Sequence, residues 1–203
     1  CLIDLELFWK EVNRICKITC PMFFTCSTKF GVSLINSNPK NFRYDLVWVK
    51  SRSSALNNKL TDSARGVTQG LISNSTGAET TDTTGLTAFN TDGFSLGADA
   101  TYNTNTASYV GWQWKAGGTA VTNTDGTITS QVSANTDAGF SIATYTGNGT
   151  AGATVGHGLG VTPKIVILKR RSVANEWINY LTFIDGTMDY VVFNTTAAKI
   201  DST

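Results

Sequence analysis

The feature that most constrains this chain is a series of short strand-like runs closed by Asx-Gly pairs. Asp92-Gly93, Asp125-Gly126, Asn148-Gly149 and Asp185-Gly186 are turn signals, because Asp and Asn bond to nearby backbone and glycine supplies positive φ. Between them lie runs rich in β-branched and aromatic residues. Tyr44 to Lys50 is one, and Ser108 to Lys115 alternates along its length. Alternation places Val110, Trp112 and Trp114 inward and Tyr109, Gln113 and Lys115 outward. Gly93 to Gly97, Gly126 to Val132, Gly139 to Tyr145, Pro163 to Lys169, Glu176 to Phe183 and Met188 to Phe193 are further strands. Many short strands at this spacing predict a mainly-β, antiparallel sandwich or barrel and exclude a βαβ fold.

One segment departs from that pattern. Residues 1–40 carry every cysteine (Cys1, Cys16, Cys20 and Cys26) and the only helical periodicity. Leu5, Phe8, Trp9, Val12, Ile15 and Cys16 form one apolar stripe, with Asp4 as N-cap and Pro21 as terminator. An N-terminal α-helix is expected there. It serves either as an arm docked on a sheet or as an oligomerisation element working through Leu5, Phe8, Trp9 and Val12. The cysteine spacing matches no common zinc pattern, and His157 is the only histidine, so ordinary thiols are expected rather than a metal centre.

Charge excludes several classes of function. Sixteen Lys and Arg against fifteen Asp and Glu leave a formal net charge of +1, without the basic face a nucleic-acid binder needs. Between Arg65 and Lys164 the only Lys or Arg is Lys115. No window reaches the roughly 20 apolar residues of a membrane helix.

The chain also repeats itself. Asp45 to Ser53 resembles Lys164 to Ser172, an apolar strand ending in basic residues, and Ile72 to Ala78 resembles Val192 to Ala198. A Thr- and Asp-bearing stretch follows each copy. The second copy lacks counterparts of Phe94 to Leu96 and Tyr109 to Trp114. The expectation is that the chain is truncated, or that a neighbour or the N-terminal segment supplies those strands. The units expected are an arm over 1–40, a first repeat over 41–118, and a linker with an incomplete second repeat over 119–203.

The stretches Asp45 to Arg52, Asn90 to Gly97, Tyr109 to Gly117, Gly139 to Gly149 and Val155 to Lys164 resemble a repeat of tailed-phage structural proteins. The resemblance runs from about Phe42 onward. It implies a lectin-like, concanavalin-like β-sandwich of jelly-roll type and a tail-fibre or virion structural role. It implies a location on the virion surface, and partners that are copies of itself, other virion proteins and host cell-surface glycan. Two features depart from it. Before Asp45 stands the cysteine-bearing segment instead of an opening strand, and Tyr44 replaces the usual proline. Residues 1–40 are thus a specialised arm or precede a true start at Met22 or later. The resemblance names no catalytic residue, metal or cofactor.

Candidate site residues follow from chemistry. Tyr109 and Trp177 are expected to be exposed and to stack on sugar rings, as aromatics with a polar handle do. Arg52 and Arg170, at strand ends, suit anionic glycans, against the plainer role of charge guarding an edge. Trp48, Trp112 and Trp114 could stack likewise, but alternation puts Trp112 and Trp114 on the face of Val110, which favours core for those two. His157 lies in Gly156-His157-Gly158-Leu159-Gly160, where the glycines argue for loop geometry over catalysis. Glu79, Asp82, Asp92, Asp99 and Asp125 sit in turns, and nothing in the sequence pairs them as a glycosidase requires. A polysaccharide-degrading enzyme and a capsid decoration or self-assembling filament subunit are the rival functions.

Overall fold

A computed structural model describes residues 45–183 and 189–201. The helix over 1–40, its candidate residues Leu5, Phe8, Trp9 and Val12, the cysteines and the Asp185-Gly186 turn lie outside the described residues.

The described chain is mainly β, in several antiparallel sheets. The first is a meander of β1 (Leu46–Ser51), β2 (Lys59–Asp62), β3 (Gln69–Ile72) and β4 (Thr80–Thr81). The chain then leaves the sheet as a hairpin, β5 (Leu86–Asn90) and β6 (Gly93–Leu96), turned by Thr91 and Asp92, and a short helix α1 (Ala100–Asn103). It returns as β7 (Tyr109–Trp114), which pairs with β1 and completes the order β4-β3-β2-β1-β7.

The hairpin and helix cover one face of that sheet. Val47, Val49, Leu86 and Tyr102 are buried together, with Val67, Phe89, Phe94, Leu96 and Tyr109 packed around them. A buried Val or Leu contributes roughly 1.5–3 kcal/mol, so this cluster dominates the first repeat. Asp99 caps α1 by accepting from Thr101 N–H at 2.6 Å, the usual role of an N-cap carboxylate.

The register of β7 corrects the expected facing of its aromatics. Val47 lies opposite Gln113, Val49 opposite Gly111 and Ser51 opposite Tyr109, so Tyr109, Gly111 and Gln113 share the core side. Trp112 and Trp114 point the other way and are 47% and 38% exposed. On the core side the Phe94 ring of the hairpin packs over Gly111, and the hairpin and α1 cover the Val47–Val49 face.

A second sheet, β8 (Val121–Asn123), β9 (Ser130–Asn135) and β10 (Phe140–Tyr145), has the order β10-β9-β8. Here the strand expected over 126–132 is corrected. Asp125 to Thr127 form a turn, Ile128 makes a single bridge to Val155, and pairing starts at Ser130. Thr127 and Thr154 each donate a backbone N–H to the other's hydroxyl, at 3.0 and 2.8 Å, which takes the place of a ladder.

The third sheet is again a meander: β11 (Ile165–Lys169), β12 (Trp177–Leu181), β13 (Asp189–Val192) and β14 (Ile200–Asp201). Its register duplicates the first. Val49 faces Lys59 and Lys59 faces Ile72; Leu168 faces Ile178 and Ile178 faces Val192. Gly70 faces Thr80, as Tyr190 faces Ile200. The caps repeat too. Asn74 Oδ1 accepts Asn58 N–H at 2.8 Å and Asn194 Oδ1 accepts Trp177 N–H at 2.9 Å. The Lys50 and Lys169 ammonium groups donate to the Leu56 and Asn175 carbonyls, both at 2.7 Å.

Candidate functional site

Strand β1 contributes Trp48, and β7 contributes Trp112 and Trp114. Because Trp48 lies opposite Trp112 and Leu46 opposite Trp114, all three indoles stand on the sheet face away from the Val47–Val49 core. Their ring centroids are 5.7 Å apart for Trp48–Trp112 and 6.4 Å for Trp48–Trp114.

Rings from the other two sheets extend the group. Phe193, just past β13, stacks on Trp48 at 6.4 Å, and Phe140 of β10 stacks on Trp114 at 6.3 Å. The result is a row Phe193–Trp48–Trp114–Phe140 with Trp112 beside it. The separations and tilts are those of favourable aromatic pairs. Trp48 Nε1 donates to Ser73 Oγ at 3.0 Å, which fixes the central indole. Phe193 is 43% exposed, so the row opens to solvent at Trp112, Trp114 and Phe193. Such a face can take up the apolar side of a sugar ring or an apolar protein surface.

The four residues expected to bind ligand are not brought together. Tyr109 is half-buried against the core. Its hydroxyl donates to Ala100 O at 2.7 Å and accepts Thr104 N–H at 2.9 Å, clamping α1 at both ends. Trp177 is 3% exposed, against the exposure expected for it. Its Nε1 donates to the Ile72 and Ser75 carbonyls at 2.9 and 3.2 Å, so it docks the second meander on the first. Arg52 is exposed just past β1, its N–H bonded to Ser108 O. Arg170 is exposed just past β11.

The acidic residues serve structure. Glu79 takes Arg65 Nη1 at 2.8 Å and a two-pronged contact from Arg171 at 2.7 and 2.9 Å. Burial raises the Glu79 carboxyl, but the hydrogen bonds from Arg171 and Arg65 and their charges outweigh it, and its pKa ends lowered. Asp82 and Asp99 share Lys59 at 3.2 and 3.8 Å. Asp125 accepts Asn123 Nδ2 at 2.7 Å. His157 Nδ1 accepts Leu159 N–H at 3.2 Å in a turn where Gly158 and Gly160 have φ of 71° and 70°. Among the described residues no three His, Cys, Asp or Glu side chains are placed to hold a metal ion.

Sequence reasoning took Trp112 and Trp114 for core and missed Phe140 and Phe193. The available signal was a Trp-x-Trp strand paired to another tryptophan strand, too bulky for one core layer beside Phe94. No curated protein and no solved structure matches the chain. One family does match, described as a domain of unknown function (DUF7483), over residues 25–203. That match takes in every strand from β1 to β14, and the chain belongs to the DUF7483 family.

Proposed function

We propose that this chain is a non-enzymatic structural and adhesive module of a virion surface, tail-fibre-like in role. In this reading its repeats are lectin-like β-sandwich units, and its aromatic row contacts host glycan. The observation that carries the binding role is the solvent-facing group of Trp112, Trp114 and Phe193 around the half-buried Trp48. A soluble domain does not leave large aromatics contiguous and open without use for them. The virion setting rests on the sequence resemblance. The duplicated meander supports a repeat-built scaffold, in which stiff sheets present a binding surface.

The test is retention of the full chain on immobilised bacterial surface polysaccharides. Trp112→Ala is expected to weaken retention about tenfold or more, a loss of ~1.4 kcal/mol, with unchanged circular dichroism. No retention on any polysaccharide, or equal retention by the variant, would sink the reading. Release of reducing sugar from a retained polysaccharide would favour the rival enzyme.

A further inference from the structure

The two meanders carry the same pair of cations at the same register and use them differently. Val49 and Leu168 hold matching places in their ladders, so Lys50 corresponds to Lys169 and Arg52 to Arg171. In the second meander both are occupied. Lys169 Nζ donates to the Thr76 and Asn175 carbonyls at 2.9 and 2.7 Å, and Arg171 grips Glu79 at 2.7 and 2.9 Å. In the first, Lys50 Nζ meets one acceptor, the Leu56 carbonyl at 2.7 Å. Among the described residues no carboxylate pairs with Lys50 or with the exposed Arg52. An ammonium has three donors and a guanidinium five, so most of this capacity is left for a ligand.

These cations stand beside the aromatic row. Lys50 lies opposite Val110, one alternation step from the Trp48–Trp112 pair and on the same sheet face, roughly 7 Å along the strand. Arg52 extends that line, because its N–H donates to Ser108 O at 2.8 Å and continues the ladder past Ser51 and Tyr109. The acidic residue that the register puts on this face is Asp62, opposite Leu46. Its charge is closed off, since Asp62 and Arg65 form an ion pair of 2.6 Å with both side chains 4% exposed. Trp112 and Trp114 add indole N–H groups, which donate and do not accept. On β1, β2 and β7 this face therefore offers an anion flat rings and donors, and no open carboxylate to repel it.

We propose that the aromatic row is specific for an acidic polysaccharide: a uronate-type sugar stacks on Trp112 and sets its carboxylate against Lys50 and Arg52. This rests on the glycan reading of the row and names the class of glycan. Stacking holds the apolar side of the sugar ring. Hydrogen bonds from an ammonium or guanidinium to a carboxylate are about twice as strong as neutral ones, so the carboxylate decides which sugar is held. Charges at the rim of a site also make capture sensitive to salt.

In the experiment, each polysaccharide that retains the full chain is compared with its carboxyl-reduced form, in which uronates have become neutral sugars. Retention is expected on uronate-containing polymers and should fall about tenfold on reduction, the scale of a lost hydrogen bond to a charged group. Lys50→Gln and Arg52→Gln should each weaken retention on the acidic form about fivefold and leave that on the reduced form unchanged, whereas Trp112→Ala weakens both. Lys50→Arg keeps the charge and should hold the acidic form nearly as well as the native chain, with unchanged circular dichroism throughout. Arg170→Gln removes an exposed cation of the second meander and should have no effect. Equal retention of a polymer and its reduced form, retention confined to neutral polymers, or an Arg170→Gln loss equal to that of Arg52→Gln overturns the proposal and leaves the glycan reading standing. Absence of retention on every polymer removes both.

Discussion

At the residue scale, the buried side of the first repeat is organised by a lysine. Lys59 is 8% exposed and sits between Asp82, Asp99 and the Tyr102 ring, 5.9 Å from its centroid. Burial pushes the Tyr102 hydroxyl up to about 12, against a weaker downward pull from its Thr61 hydrogen bond. Burial also raises the Asp82 carboxyl. A hydrogen bond shared with the Asp99 carboxyl, those donated by Thr84 N–H and Lys59, and the lysine charge outweigh it and hold Asp82 at about 2, below its ordinary 3.8. A carboxyl depressed in the folded state stabilises fully above its unfolded value, and that contribution disappears as pH falls through the folded value. Thermal unfolding midpoints should therefore fall between about pH 4 and pH 2, and the slope there should be shallower for Asp82→Asn. Identical slopes for the two proteins would refute the assignment. None of this pairing was legible in the sequence. Lys59 and Asp82 are 23 residues apart, and only the β2–β3–β4 ladder brings them together.

At the element scale, the second meander is joined to the first by loop contacts. Trp177 Nε1 bonds to Ile72 and Ser75, Lys169 Nζ donates to Thr76 O at 2.9 Å, and Glu79 N–H donates to Arg171 O at 2.9 Å. Glu79 links the copies because it also holds Arg65. The side chains of Arg65 and Glu79 are 4% and 11% exposed, whereas Arg171 is 42% exposed. Exposure decides the ranking of variants. Arg171→Ala should cost no more than about 1 kcal/mol, as for an exposed pair. Glu79→Gln strips a buried guanidinium of one of its two carboxylates and should cost about 2 kcal/mol or more. Chemical denaturation of both variants measures this, and a larger loss for Arg171→Ala would contradict it. The existence of β1, β6, β7 and β10 to β13 was legible from alternation and turn residues. Strands β2, β3 and β8 were not, because they span only three or four residues, and β5 was not, because Leu-Thr-Ala-Phe-Asn lacks strict alternation.

At the scale of the whole molecule, glycine sets how the sheets meet. A Cβ on Gly117, just beyond β7, would run into the Ala134 backbone of β9, so the second sheet lies against the end of the first. Gly117→Ala should destabilise by roughly 1–3 kcal/mol, the usual cost of forcing atoms into a packed contact. Gly147→Ala, where a Cβ meets nothing within 4 Å, should stay within about 0.5 kcal/mol. Equal unfolding midpoints for the two variants would disprove the close approach. The same meeting carries Phe140 to Trp114, and the docking of the second meander through Trp177 carries Phe193 to Trp48, which makes an aromatic row out of residues from three sheets.

Local chemistry by itself determined that this chain is mainly β, where most of its longer strands run, and which two stretches resemble one another. Those properties depend on neighbours within a few residues: side-chain alternation, β-branching, and glycine beside Asp or Asn. Only the tertiary structure decided which face of β7 meets the core and why Trp177 is buried. Alternation makes two faces without ranking them. The ranking came from the 86–96 hairpin and α1, which bury the Val47–Val49 face and leave the tryptophans of β7 on the other.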